Sequence, residues 1–203
     1  MRQQNYTTAQ PIWPGETGFI IAGGPSLAGF DWSRLAGRKV LAINSSILSY
    51  PGANVCFFGD ARWWMWNAGK VKAAFTGPVF TCSEIADPRV FNLIKAKPAP
   101  YVSADPAAVT MQRTSLTAAM NLAVHFGCHR LVLMGADMKA DQDGRAHHHP
   151  EHPIPQIPGC WEKQMTELRH VAVALRDLGV DVINSSMVSR IDWWPKQPIE
   201  ELL

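Results

Sequence analysis

The chain has 203 residues, 47% of them hydrophobic and 18% charged, with a formal net charge of +2. That composition excludes a disordered or fibrous chain, fits one domain with a full core, and gives no general electrostatic grip on nucleic acid. No apolar run reaches the length of a membrane span and no signal peptide is read, so the expectation is a cytoplasmic protein.

Residues 1–17 carry Pro11, Pro14 and Gly15 with little periodicity and read as an irregular arm. Residues 18–24 are an apolar strand that runs into the turn Gly23-Gly24-Pro25-Ser26. Residues 27–35 read as a turn or a short helix. Strands follow over 39–44, 54–60 and 78–82, with a helix over 61–75 between the last two. Asp87-Pro88, a good cap and first-turn pair, predicts a helix over 87–97. A short strand is expected over 101–103. The second half is more regular: a helix over 115–126, a continuous apolar strand over 130–135, a helix over 161–178 and a last strand over 180–184. Residues 139–158 between them are polar, His- and Pro-rich, and form a loop of the length that usually carries function. Alternating strands and helices predict an α/β fold: one Rossmann-like domain over 1–203 with a mostly parallel sheet, helices on both faces, and residues 139–158 as a mobile lid.

In such sheets ligands bind beyond the carboxyl ends of the strands. Small or polar residues gather at those ends here: Gly23, Gly24, Pro25 and Ser26; Asn44; Asp60; Gly135 and Asp137. Glycines there let backbone approach a phosphate, although neither GxGxxG nor GxxxxGK[ST] is present and an ordinary strand-to-helix turn has the same pattern. A valine at Gly24 is expected to block that approach and leave the fold largely intact. Arg113-Thr114-Ser115 precedes a helix, so Thr114 or Ser115 can cap it and leave its amino end, with Arg113, as an anion site.

The run His147-His148-His149-Pro150-Glu151-His152 admits three readings: a metal site, a general base on a lid, or a solvated loop. Adjacent histidines do not converge naturally on one ion and no HExxH is present, so no metal ligands are assigned and the general base is favoured. His149 and His152 lead because each precedes a proline, which extends its backbone; His148 is the third candidate. Trp63, Trp64 and Trp66 cannot all face one core from one helix; the choice is packing under the long loop or a pocket or interface wall. Trp193-Trp194 offers a stacking platform or, preferably, an oligomer contact, so a homo-oligomer is an open expectation. The four cysteines have no CxxC pairing and read as free thiols, with Cys56 and Cys82 buried in strands.

Taken in order, these segments resemble a family. Ile20 to Leu27 with its Gly-Pro-Ser-Leu, then Asp31 and Leu35, resembles the start of the small bacterial sialyltransferases that use CMP-sialic acid. It also resembles the related motility accessory factor proteins and the archaeal hydroxymethylpterin pyrophosphokinases. Asn44 matches the family's Asn after the second strand. Thr114-Ser115 matches a Thr-Ser pair before a helix, Gly135-Ala136-Asp137 a Gly-Ile-Asp strand end, and Asn184-Ser185-Ser186 a serine-containing one. The likeness runs from about residue 18 to 190, and the short chain resembles small phage-encoded members. Three positions depart: the family's Gly-Asn-Gly-Pro-Ser is Ala22-Gly23-Gly24-Pro25-Ser26, the Gly after Thr-Ser is Leu116, and no Tyr follows Tyr101.

The resemblance implies a nucleotide-binding transferase, a glycosyltransferase that takes a nucleotide-sugar donor. Gly23, Gly24 and Ser26 would meet the donor's phosphate or ribose, and Asn44 and Asp137 its base or ribose. Thr114 and Ser115 would hold phosphate, and a lid His would deprotonate an acceptor of unassigned kind. The alternatives are ATP-dependent pyrophosphoryl transfer, with Mg²⁺ held by acids such as Asp60 and Asp137, and a non-catalytic nucleotide-binding protein.

Overall fold

In the computed structural model the described residues are 6–150, 153 and 157–203. Residues 6–16 carry no helix or strand, and Trp13 among them is buried with its ring 4.9 Å from that of Phe126. Strands β1 (Thr17–Ile21) and β2 (Lys39–Ile43) are joined by two single 3-10 turns, and the four-residue helix α1 (Ser46–Ser49) follows β2. Next come β3 (Val55–Phe58), helix α2 (Ala61–Ala74), β4 (Val79–Thr81), β5 (Val90–Asn92), β6 (Ile94–Ala96) and β7 (Ala108–Thr110). The chain then forms α3 (Ser115–His125), β8 (Arg130–Met134), α4 (Cys160–Asp177) and β9 (Asp181–Asn184).

Seven strands make one parallel sheet in the order β5-β4-β3-β2-β1-β8-β9, and β6 and β7 pair separately. Because strand side chains alternate between faces, the unbroken apolar runs divide cleanly. Ile20, Leu41, Phe57 and Leu133 face α3 and α4, whereas Phe19, Val40, Phe58 and Val132 face α2 and the early turns. Phe57 and Phe58 are fully buried on opposite faces, each contributing about 1.5–3 kcal/mol. The chain steps outward from β1 to β5 and then returns to β8 on the other side of β1. That reversal leaves a crevice at the carboxyl ends of β1 and β8.

Two expectations of the sequence are corrected. Residues 87–97 are not a helix. Asp87 does accept from the amide of Arg89, but it closes a turn: Val90 to Asn92 then pairs in parallel with β4, and Phe91 stacks on Phe80 at 5.1 Å. Asn92 fixes the turn by bonding both the amide and the carbonyl of Ile85. Tertiary pairing outweighs a local cap signal here. The short strand also lies at Ala108–Thr110 and not at 101–103, where the amide of Ser103 goes to the buried Asn121 side chain. Among the cysteines, Cys56, Cys82 and Cys128 are buried and all four are free; burial pushes Cys82 up to about 11 and Cys128 to about 12.

Candidate functional site

A cavity of about 270 Å³ occupies the crevice. Its floor is the turn Ala22-Gly23-Gly24 after β1 and Gly135 after β8. Asn44 flanks it from β2, Arg113, Thr114 and Ser115 come from the start of α3, and His147 and His149 cover it from the loop.

The turn after β1 is held by buried hydrogen bonds. The amide of Gly24 donates to the carbonyl of Gly135 at 2.8 Å. The Asp137 carboxylate, 1% exposed, accepts from the amide of Ser26 at 2.8 Å, from the hydroxyl of Ser26 at 2.7 Å and from the hydroxyl of Ser186 at 2.5 Å. Asp137 therefore ties the ends of β1, β8 and β9 together, and charge-assisted bonds of this kind are about twice as strong as neutral ones. Asp137 lines the cavity, whereas Pro25 and Ser26 do not. Gly24 itself is fixed by packing: a Cβ there would meet Gly135 O and come within 2.5 Å of Asp137 Cγ. The expectation that valine at this position spares the fold is thus overturned. Gly23 is the position whose missing side chain makes room for the loop, since a Cβ there would lie 3.0 Å from His147 Nδ1 and 3.4 Å from His149 Nε2.

Asn44 adopts a left-handed backbone with φ of 51°, which its short polar side chain tolerates. Its Oδ1 is buried and has no hydrogen-bond partner among the described residues. Buried polar atoms are normally paired, so an orphan in a cavity wall marks a place for a ligand donor. Opposite it, Thr114 caps α3 by accepting from the amide of Leu116 at 3.2 Å. The preceding turn is clamped by Glu167 of α4, 3% exposed, which accepts from the amides of Gln112 at 2.8 Å and Arg113 at 2.6 Å. That clamp aims the positive end of α3 and the Arg113 side chain at the cavity. Lys139 adds a second cation, and Trp161 and Gln164 of α4 line the same space.

The histidines separate in role. His148 gives both its backbone amide, at 3.0 Å, and its Nδ1, at 3.1 Å, to the carbonyl of Gly23, and its ring lies 5.6 Å from Trp32. It does not line the cavity. Burial, and next the neighbouring His149, lower it to about 4, so it is neutral near pH 7. His149 does line the cavity, stacked on His147 at 4.8 Å. Its Nδ1 lies 2.9 Å from the carbonyl of Pro150. A carbonyl only accepts, so Nδ1 carries the proton and Nε2, facing Gly23, is the basic nitrogen. His152 lies outside the described residues.

Asp60 is not brought in. It caps α2 by accepting from the amide of Arg62 and pairs with that side chain at 2.7 Å. Asp60 does not line the cavity that Asp137 lines, and among the described residues no three His, Cys, Asp or Glu side chains converge. Trp63 and Trp64 pack on Phe58, while Trp66 stays 39% exposed. Trp194 is buried and Trp193 sits beneath the Arg169 guanidinium at 4.7 Å. No described helix is long and apolar enough to cross a membrane. Glu167, Lys139, Trp161 and Gln164 were missed by the sequence reading. The one available signal was that Trp161 and Gln164 open the helix that directly follows the loop.

No protein-family model and no curated protein matches this chain. Solved structures do. The MAf glycosyltransferase from Magnetospirillum magneticum AMB-1 superposes with a TM-score of 0.68 at 12% identity, over 100% of this chain and 37% of that one. This chain thus spans little more than a third of that protein. The sialyltransferase CstII from Campylobacter jejuni, in complex with CMP-3FNeuAc, gives 0.52 at 14% identity over 89% of this chain and 85% of its own. The monofunctional alpha-2,3-sialyltransferase Cst-I from Campylobacter jejuni gives 0.51 at 13% identity over 87% and 78%. This chain shares the mostly parallel α/β fold of those glycosyltransferases.

Proposed function

We propose that the chain is a nucleotide-dependent glycosyltransferase, with the donor's phosphate at the start of α3 and its nucleoside against Asn44 and the Gly23-Gly24 turn. The observation that carries this is the conjunction, in one cavity, of an unpartnered buried Asn44 Oδ1 with Arg113 and an amino-terminal helix end. An amide acceptor suits the N–H or O–H groups of a base or ribose, and the cationic end suits a phosphate. The fold neighbour CstII has been solved with CMP-3FNeuAc, which favours a nucleotide sugar as donor.

In this reading the acceptor hydroxyl attacks the anomeric carbon of the donor sugar. Its proton passes to His149 Nε2, and the C–O bond to the leaving phosphate breaks with the electron pair going to that phosphate. Arg113, Lys139 and the α3 amino end stabilise the growing negative charge. Ser26 and Ser186 hold, through Asp137, the turn that meets the donor, and the Asp137 carboxylate itself lines the cavity. Trp161 offers a flat wall for the base. A base at His149 is worth roughly 10²–10⁴-fold in turnover.

The test is a thermal-shift screen of nucleotides and nucleotide sugars, with and without Mg²⁺, on the wild type and Arg113→Ala. A ligand at a hundred times its Kd adds about 2.7 kcal/mol, and each kcal/mol raises the melting temperature of a domain of this size by about 2–4 °C. A shift of that order in the wild type, reduced in Arg113→Ala, is the expected result. Equal shifts in both proteins, or none in either, would remove the site.

A further inference from the structure

Strand β9 ends the sheet, with one edge on β8 and the other open over part of its length. In a parallel ladder, alternate residues turn their N–H and C=O to opposite edges. The amides of Asp181 and Ser185 donate to the carbonyls of His129 and Leu133, so positions 181, 183 and 185 face β8. Positions 182 and 184 face outward. Asn184 is paired there: its amide donates to the carbonyl of Pro195 at 2.9 Å, and its carbonyl accepts from the amide of Gln197 at 3.3 Å. Val182, two residues earlier, has no backbone partner on that edge among the described residues. The tail thus closes the carboxyl half of the edge and stops short of the amino half.

Beside the open half lies a cavity of about 670 Å³. It sits at the amino ends of β8 and β9, where Arg130 and residues 179–183 wall it, and it shares no lining residue with the crevice cavity. Helix α4 contributes Arg169, Val173 and Arg176, and the tail contributes Trp193. Trp193 Nε1 is buried and has no hydrogen-bond partner among the described residues. A buried donor left over on a residue that walls a cavity marks a place for an acceptor. The charge is one-sided. Three arginines line the cavity against one acid, Asp181. Their ion pairs are long and exposed: Arg130 to Asp181 at 3.5 Å, Arg169 to Asp192 at 3.8 Å and Arg176 to Asp177 at 3.4 Å. Pairs of this kind contribute little and exchange readily for a better-placed carboxylate.

We propose that this groove takes an extended, acidic peptide segment of a partner protein, which adds to the open half of the β9 edge. The segment's backbone pairs with Val182, its carboxylates meet Arg169 and Arg176, and one of its oxygens accepts from Trp193 Nε1. A second copy of this chain fits less well. A twofold pairing of β9 edges centred on Val182 sets Asn184 opposite position 180 of the other copy, and Pro195 and Gln197 already hold that place.

NMR on the full chain tests it, with a blocked peptide alternating glutamate and valine as the probe. One control peptide carries lysine for glutamate. Two more are N-methylated at every valine or at every glutamate, so that one or the other loses the N–H groups turned toward β9. The glutamate peptide is expected to bind, to move the Val182 amide and Trp193 indole N–H resonances, and to slow exchange of the Val182 amide. The lysine peptide and one N-methylated peptide should fail to bind. The double variant Arg169→Glu/Arg176→Glu should weaken binding at least about five-fold. Trp193→Phe, which keeps a ring and removes one neutral hydrogen bond, should weaken it about two- to ten-fold. Lys70→Glu, exposed on α2 and outside the cavity, should leave it unchanged. No binding of the glutamate peptide, equal binding of the lysine peptide or of both N-methylated peptides, or resonance changes that miss Val182 and Trp193 overturn the proposal. Protection of the Val182 amide that grows with protein concentration in the absence of peptide gives the groove to a second copy and overturns it as well.

Discussion

Replacing Gly24 by alanine sets a methyl carbon against the carbonyl oxygen of Gly135 and 2.5 Å from Asp137 Cγ. Neither neighbour can retreat. Gly135 O already accepts from the Gly24 amide, and Asp137 is held by three hydrogen bonds from Ser26 and Ser186. Overpacking of this kind costs about 1–3 kcal/mol. For a domain of this size that is roughly 2–12 °C of melting temperature, at about 2–4 °C per kcal/mol. Gly23→Ala is the matched control. Its new methyl would meet only ring atoms of His147 and His149, at 3.0 and 3.4 Å, and those side chains can shift. It should lower stability by less than about 1 kcal/mol while displacing the histidines. Thermal unfolding of the two variants followed by circular dichroism decides the matter. Gly24→Ala melting within about 1 °C of the wild type, with Gly23→Ala melting lower, would refute the packing argument.

Other consequences are as direct. Glu167→Ala removes the charged acceptor of the Gln112 and Arg113 amides, each such bond worth about 1.5–3 kcal/mol at most; it should lower the melting temperature and weaken anion binding, and an unchanged melting point would contradict the clamp. Burial, with His149 beside it, depresses His148, so the docked ring holds fewer protons than a free imidazole. The docking of His148 on Gly23 is thus fully favourable above about pH 6.5, the ordinary histidine value, and is lost as pH falls through about 4. An NMR titration of His148 should give a midpoint near that lower value; a midpoint at the ordinary one would show the ring to be undocked in solution.

How much could be read without the structure depended on whether the signal was local. The strands around β1 and β8 are apolar on both faces, and a run such as Arg130 to Met134 has no other reading in an alternating α/β pattern. The cap of α3 was equally plain, because Thr114 and the amide it meets are two residues apart. Residues 87–97 failed for the converse reason: Asp87-Pro88 is a local signal, but β5 exists because Phe91 finds Phe80 and Asn92 finds Ile85. The polar strand ends Gly23, Gly24, Asn44, Gly135 and Asp137 line one cavity, but the contacts that hold them there are not local in the sequence. The Asp137 carboxylate that lines the cavity is also held by Ser26 and by Ser186, which is 49 positions away. Glu167 lies on a helix whose other acids face solvent, so nothing in its spacing separates it from them. Trp63, Trp64 and Trp66 were legible as a group that had to divide, but only the packing on Phe58 says which one is left out.

The central claim is that His149 accepts the acceptor's proton next to a nucleotide-sugar donor. The most direct measurement is release of nucleotide from a panel of nucleotide sugars supplied with a mixed carbohydrate acceptor pool. Wild type, His149→Ala, His147→Ala and His148→Ala are compared, each with its donor affinity determined by calorimetry. The expected result is that one donor is consumed, that His149→Ala consumes it about 10²–10⁴-fold more slowly, and that its donor affinity stays close to that of the wild type. Consumption by His149→Ala at the wild-type rate, or no consumption of any donor by the wild type, would contradict the claim.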